Sequence, residues 1–215
     1  MLIFLFFTVQ ATAQFGFRAK HNLNYFNDLN EYFQQTINTE FSRVFESTVE
    51  FGLDYTFQTR KYRIDILHEL FIGLNQENIL GNTIGLEFSY LGYNLNTQIY
   101  ILDLKRKSED SGSTNSDSAL REGFFLALVP GFMRSTTKGY TGLAIGTSAH
   151  QIHLRMGVGL GFDIPFGNLF TLTPAIHYHI IPRMEYDSLP IINGIDREDS
   201  NTIVQQIQFQ LRFGF

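Results

Sequence analysis

From Ile203 to Phe215 the side chains change character with a period of two. Ile203, Gln205, Ile207, Phe209, Leu211, Phe213 and Phe215 fall on one parity, and Val204, Gln206, Gln208, Gln210, Arg212 and Gly214 on the other. A β-strand points successive side chains to opposite faces, so this stretch predicts a strand with one greasy and one polar face. The period recurs along the chain. Phe15, Phe17, Ala19, Leu23 and Tyr25 alternate with Gly16, Arg18, Lys20, Asn22 and Asn24, and Val49, Phe51, Leu53, Tyr55 and Phe57 with Glu50, Gly52, Asp54 and Thr56. Tyr62, Ile64, Ile66, Leu70 and Ile72 oppose Arg63, Asp65, Glu69 and Gly73, and Ile84, Leu86, Phe88 and Tyr90 oppose Gly85, Glu87 and Ser89. Segments 152–164 and 170–180 repeat the pattern, with His153, Arg155, Gly157, Gly159, Gly161 and Asp163, then Thr171, Thr173, His177 and His179, on the polar side. Repeated alternating segments of about 10 residues are the signature of a transmembrane barrel. A soluble sandwich also alternates, but its apolar face is the inner one, and its polar face rarely carries so many glycines.

The N-terminal residues point to export. Leu2 to Val9 is a short apolar run, followed by the small-x-small site Ala11-Thr12-Ala13. That reads as a secretory signal peptide, 1–13, cleaved after Ala13, although no Lys or Arg precedes the apolar run. The run is shorter than the roughly 20 residues of a spanning helix. The remainder, 14–215, reads as one barrel domain. Cysteine is absent, so no disulfide holds it. Twenty-two Phe and 10 Tyr with a mean hydropathy of -0.06 suit a body that is apolar outside and polar inside. A formal net charge of -5 and export together argue against nucleic acid as a partner.

Loop lengths set the expected strand count. Bacterial barrels have short periplasmic turns and longer extracellular loops, and both termini face the periplasm, so strands come in even number. The long polar connections are 26–46, 107–120 and 184–201, and short links lie near Thr59-Arg60, Gly92-Tyr93 and Gly167-Asn168. Placing every long link outside requires turns at Gly92-Tyr93 and near Ser135–Gly139, which predicts an all-β, antiparallel, up-and-down barrel of ten strands. Eight strands is the alternative, and it sends 107–120 to the periplasm. Within 26–46, Leu29, Tyr32, Phe33, Ile37, Phe41, Val44 and Phe45 recur at helical spacing, although an ordered loop packed on the rim is the simpler reading.

Any chemistry belongs in the lumen. Inward parity is expected for Arg18, Lys20, Glu50, Asp54, Arg63, Asp65, Glu69, Glu87, Arg155, Asp163 and Arg212. Buried charges survive when paired, so the primary expectation is a salt-bridged plug, with an ion or proton path as the alternative. A tight Thr59-Arg60 turn would set Asp54 opposite Asp65 and Glu50 opposite Glu69; a slip of two would set Asp54 opposite Arg63. A turn at Gly167 would set Arg155 opposite His179 and Gly157 opposite His177, with His153 above. The cluster His153, His177 and His179 has the residue types of a transition-metal site or a general base, yet hydrogen bonding within the lumen accounts for it more simply. No metal or other cofactor is therefore assigned. His21 and His68 fall on the lipid-facing parity, which suggests a local bulge or a register error. No GxSxG, P-loop or HExxH motif is present.

The Ala-Thr-Ala-Gln site, the opening Phe15-Gly16-Phe17-Arg18-Ala19-Lys20 strand and the last strand ending in Phe215 together resemble the small outer-membrane β-barrel proteins common in the Bacteroidetes. The resemblance implies an outer-membrane location in a Gram-negative bacterium, contact with outer-membrane lipids and lipopolysaccharide, and recognition by the barrel-assembly machinery of a signal formed by Phe209, Leu211, Phe213 and Phe215. It also admits membership of a larger outer-membrane complex. It specifies destination rather than activity. The aspartate and His-Asp pairs of omptin-type proteases do not transfer, because Asp54 and Asp65 fall near the periplasmic turn. The His-Ser dyad of lipid A deacylase barrels does not transfer either, because His177-Tyr178-His179 has no adjoining serine. Three function classes follow: a non-enzymatic structural or partner subunit, a narrow channel given inward space by Gly157, Gly159 and Gly161, and a lipid-modifying enzyme built on the histidines. The first is the expectation.

Overall fold

A computed structural model of the chain describes residues 14–26, 46–59, 62–79, 84–102, 123–141, 144–167, 169–185 and 201–215. The expected signal segment and nearly all of the 26–46 segment with helical spacing lie outside the described residues. The strands are β1 (Gln14–Tyr25), β2 (Ser47–Gln58), β3 (Ile64–Ile79), β4 (Ile84–Ile99), β5 (Phe124–Thr141), β6 (Ala144–Phe162), β7 (Ile164–Phe166), β8 (Phe170–Glu185) and β9 (Asn201–Gly214). Each pairs antiparallel with its neighbours in the order β6-β5-β4-β3-β2-β1-β9-β8, and β8 pairs back onto β6, which closes the ring. Strand β7 continues β6 beyond Asp163 along the edge of β8. The barrel proper therefore has eight strands.

Closure forces a tilt. Stepping across hydrogen-bonded partners from Gln58 leads through Asp65, Gln98, Ala127, Gly159, His177, Gln208 and Asn22, and returns to β2 at Thr48, ten residues from the start. A stagger of that size with eight strands gives a ring whose interior is just wide enough for side chains to fill it. Closure pairs the sheet edges, apart from the stretch where β6 and β8 extend past Met156↔Ile180.

Ten strands is corrected to eight. Gly92 and Tyr93 lie in the middle of β4, where Phe71↔Gly92 and Leu70↔Tyr93 pair on one side and Gly92↔Met133 and Tyr93↔Phe132 on the other. Glycine stands there because of crowding: a Cβ on Gly92 would run into the Phe71 ring and the Phe132 carbonyl. Ser135 to Gly139 likewise belongs to β5, with a register shift against β6 between Lys138 and Tyr140. In consequence the β4–β5 connection leaves from the end that carries Gln14 and Gly214, together with the β2–β3 and β7–β8 turns. The expectation that every long link shares the opposite end fails for this one.

The wall is inside out relative to a soluble barrel. Outward positions carry exposed apolar side chains such as Phe15, Leu53, Leu70, Leu91, Ile152 and Leu154, whereas inward positions carry buried Arg, Lys, Glu, Asp, Asn, Gln and His. Strand β4 departs from its expected parity. Phe88 and Tyr90 are buried inside with Asn94, Asn96 and Gln98, while Glu87 faces outward, half exposed, and pairs with Lys138 at 3.3 Å. Aromatic rings on this side of the lumen make β4 read backwards from its first residues. The run Asn94-x-Asn96-x-Gln98 was the signal for its true inner face.

An unbroken β4 makes a specific prediction. Tyr93→Pro removes a backbone donor from the centre of the sheet and should lower stability in lipid vesicles by about 2 kcal/mol or more, measured as the urea midpoint of refolded protein. Unchanged stability would restore a turn at Gly92-Tyr93.

Candidate functional site

The centre of the lumen is a network of charges supplied by five strands. Closure sets β9 beside β1, with Arg18 directly opposite Arg212. Two guanidinium groups side by side repel, and Asp54 from β2 holds both. Arg18 Nε donates to Asp54 Oδ2 at 2.7 Å, and Arg212 donates through Nε and Nη2 to Asp54 Oδ1 at 3.0 and 2.8 Å. Glycines make room for these groups. A Cβ at Gly16 would overlap the Asp54 carboxylate and Arg212 Nε, and one at Gly52 would overlap Glu69 Oε1.

Around this centre, Lys20 bridges Glu50 and Glu69, and Arg18 reaches Glu69 at 3.5 Å and Gln210 at 3.1 Å. From the far wall Arg155 reaches Glu50 at 3.1 Å and also donates to Gln206. Glu50 further accepts from Asn22 at 2.7 Å, Tyr90 Oη at 2.8 Å and Gln208 at 3.1 Å, and Glu69 accepts from Asn94 at 3.0 Å. Four bases and three acids thus share one buried network in which every carboxylate has several donors. That is the condition under which charges persist out of water.

Register differs from expectation at this point. Gln58 pairs with Asp65, so Asp54 faces Glu69, and Glu50 faces Gly73. The β2–β3 turn is longer than two residues, closed by Thr59 N donating to Ile64 O at 3.1 Å. The facing carboxylates Asp54 and Glu69 are kept together by Arg18, which contacts both.

Asp65, Asp163 and Arg63 form a separate group toward the end that carries Gln14 and Gly214. Tyr100 Oη donates to Asp163, Thr173 Oγ1 also donates to Asp163, and the Arg63 guanidinium lies 4.4 Å from the centre of the Tyr100 ring. Beside them Tyr100, Phe125, Ala127 and Val129 form a buried apolar cluster with Ala175 packed on it. Glu87 belongs to neither group, because it lies on the outer wall.

The three histidines do not act as one cluster. Pairing is Gly157↔His179 and Gly159↔His177, two residues from the expected register, because the turn holds Gly167 at φ 60 and pairs Phe166 with Phe170. The inward space over the glycines is filled: a Cβ at Gly157 would enter the His179 ring, one at Gly159 the His177 ring, and one at Gly161 the Phe125 ring. His177 and His179 stand with ring centroids 5.8 Å apart. His153 works elsewhere, with Nδ1 against the Arg183 carbonyl at 2.7 Å and Nε2 against Ser135 Oγ at 2.8 Å. A carbonyl only accepts, so Nδ1 carries a proton. Among the described residues no three His, Cys, Asp or Glu side chains converge as metal ligands.

His21 and His68 lie on the outer face without any bulge. His68 Nδ1 meets Tyr93 Oη, and its ring stands edge-on to Phe57. Phe209, Leu211 and Phe213 pair with β1 at His21, Ala19 and Phe17, and Phe215 N donates to Phe15 O at 2.8 Å. Phe88 and Tyr90 are lumen residues that alternation hid, since an aromatic on the inner face reads as apolar and therefore outward.

Two outcomes test this geometry. Asp54→Asn leaves Arg18 and Arg212 without their shared counter-charge and should cost about 3–5 kcal/mol, read as a lower urea midpoint in vesicles. Gly157→Ala should destabilise by about 1–3 kcal/mol through overpacking. Adding His179→Ala should recover part of that loss, whereas additive losses would place the His179 ring elsewhere.

No protein-family model matches the chain, and no curated protein matches it. Solved structures do. The chain is similar to Ail, the attachment invasion locus protein of Yersinia pestis, with TM-score 0.52 and 11% identity, over 94% of this chain and 97% of that one. The same protein in complex with the heparin analogue sucrose octasulfate gives TM-score 0.51 at 11% identity over the same shares. Neisserial surface protein A gives 0.46 at 10% identity, over 93% of this chain and 95% of that chain. Identities this low show the fold alone: a closed, eight-stranded antiparallel barrel of the small outer-membrane type.

Proposed function

We propose that this chain is an integral outer-membrane barrel with a closed, charged lumen, serving as a structural element or partner subunit of that membrane. The observation that carries the reading is the pairing of an apolar outer wall with a lumen whose charges bind one another across its full width. Arg155 on β6 reaches Glu50 on β2, and Lys20 and Arg18 on β1 reach Glu69 on β3. Apolar side chains turned outward on every strand suit hydrocarbon rather than water. In this reading 1–13 directs export, cleavage falls near Ala13, and the termini stand in the periplasm. The parity Phe209, Leu211, Phe213 and Phe215 is offered to the barrel-assembly machinery, and lipids including lipopolysaccharide surround the wall.

The channel reading loses the support it had, since the space over Gly157, Gly159 and Gly161 is taken by His179, His177 and Phe125. The enzyme reading is weakened as well, because His153 is engaged with Ser135 and Arg183, away from His177 and His179. Protein reconstituted into a planar bilayer should show no steady conductance above that of the bare membrane. Reproducible unitary openings would replace the sealed lumen with a channel. Gentle extraction of native outer membranes should show the chain travelling with a larger assembly if it is a partner subunit, and alone if its role is structural.

A further inference from the structure

The central network of the lumen holds one more base than acid. Arg18, Lys20, Arg155 and Arg212 face Glu50, Asp54 and Glu69, and all seven side chains are buried. The other inward acids, Asp65 and Asp163, belong with Arg63 to the separate group bonded by Tyr100 and Thr173. A charge held away from water without a partner is costly, so the excess base calls for a counter-charge inside the bore.

Bulk ions are kept from this layer by apolar side chains. Along β5 the buried Phe125, Ala127 and Val129 lead up to Gly131, which pairs with Arg155, and the buried Met133 follows. On β8 and β9 the next inward pair beyond His179↔Gln206 is Ile181↔Val204, again apolar and buried. The charged layer is thus bounded by apolar groups toward both ends.

Within it, several buried donors have no acceptor in the protein. Among the described residues Arg18 Nη2 and Gln210 Nε2 make no hydrogen bond, and neither does either ring nitrogen of His177. These groups are neighbours. Gln210 Oε1 accepts from Arg18 Nη1 at 3.1 Å, which holds the Gln210 amide against the guanidinium. His177 pairs with Gln208, two residues from Gln210 on the same inward face, and it feels the charges of Lys20 and Arg18. Glu69 already has donors of its own in Lys20, Arg18 Nη1 and Asn94, so these N–H groups are additional to those the acids use. An imidazole supplies at least one N–H in any tautomer, which makes three donors of different origin.

We infer that Arg18 Nη2, Gln210 Nε2 and a His177 N–H together hold one monovalent anion of chloride size, which neutralises the excess base of the network. The inference rests on the reading of the lumen as closed: the anion enters as the chain folds and stays because the bore is sealed. Water satisfies the same donors but leaves the charge uncorrected, so the charge count selects the anion.

The test refolds the full chain into lipid vesicles in bromide, with the bulkier gluconate making up a constant ionic strength. The folding equilibrium constant of the wild type should rise about tenfold for each tenfold increase in bromide once the site fills. Gln210→Glu supplies the missing negative charge covalently. In gluconate alone it should fold at least as stably as the wild type does in bromide, and bromide should no longer affect it. A lumen holding only water predicts the reverse, since Arg18 Nη1 already serves Glu69 and a further carboxylate there would destabilise. A wild type indifferent to bromide, or a Gln210 variant that is destabilised and still responds to bromide, would overturn the anion site alone. Bromide counted by X-ray fluorescence after transfer to gluconate should stay near one per folded chain. Bromide-dependent folding with immediate loss on transfer would overturn the closed lumen and leave the anion site standing.

Discussion

Everything in this molecule depends on the hydrogen bonds between β1 and β9. A sheet whose outer face is apolar cannot leave an edge, because in a hydrocarbon surrounding an unpaired backbone N–H or C=O finds no water. The first and last strands must therefore meet. They do so in a register that sets Gly16 against Gly214 and Arg18 against Arg212. That closure fixes the tilt of all eight strands and the narrowness of the bore. It also makes a neighbourhood out of residues separated by nearly the whole chain.

The bore is where the cost of closure appears. A narrow lumen has to be filled, and many of the buried inward side chains among the described residues are ionisable or amide-bearing. The molecule fills it by alternating size as well as charge. Gly16 and Gly52 stand beside Asp54 and Glu69, and Gly157, Gly159 and Gly161 stand beneath His179, His177 and Phe125. Phe71 lies beneath two cations, with Lys20 Nζ 5.0 Å and the Arg155 guanidinium 5.1 Å from its ring centre. Packing and charge compensation are thus the same problem here, solved by the same residues. A network that spans the bore in this way favours a closed lumen.

The seam between β6 and β8 is the counterpart of that rigidity. Pro182 removes a donor next to the place where the β6–β8 ladder ends, and one histidine side chain spans the gap. A barrel wall tolerates such a break where something other than a backbone partner covers it. Here that cover is the His153 side chain, which donates to the Arg183 carbonyl.

Alternation along the chain was enough to reveal the barrel, the outward face of most strands and most of the lumen charges. The reason is that a two-residue period is a local property of a strand that separates two solvents. The strand count was not legible from it. Gly92-Tyr93 looks like a turn until Phe71 and Phe132 are seen crowding Gly92 from neighbouring strands, and loop length misleads because the β4–β5 connection leaves from the end that holds Gln14 and Gly214. Glu87 was misplaced because Phe88 and Tyr90 are aromatic yet inward, and an eight-stranded bore uses rings as filler. Registers were out of reach as well: Asp54 against Glu69 and Gly157 against His179 depend on how many residues each turn spends. The sequence by itself determined a closed, inside-out β-barrel, since hydrophobic periodicity acts residue by residue. Only the tertiary structure decided eight strands, the partners of each charge and the place where the β6–β8 ladder ends, since these follow from closure and stagger, which are properties of the ring as a whole.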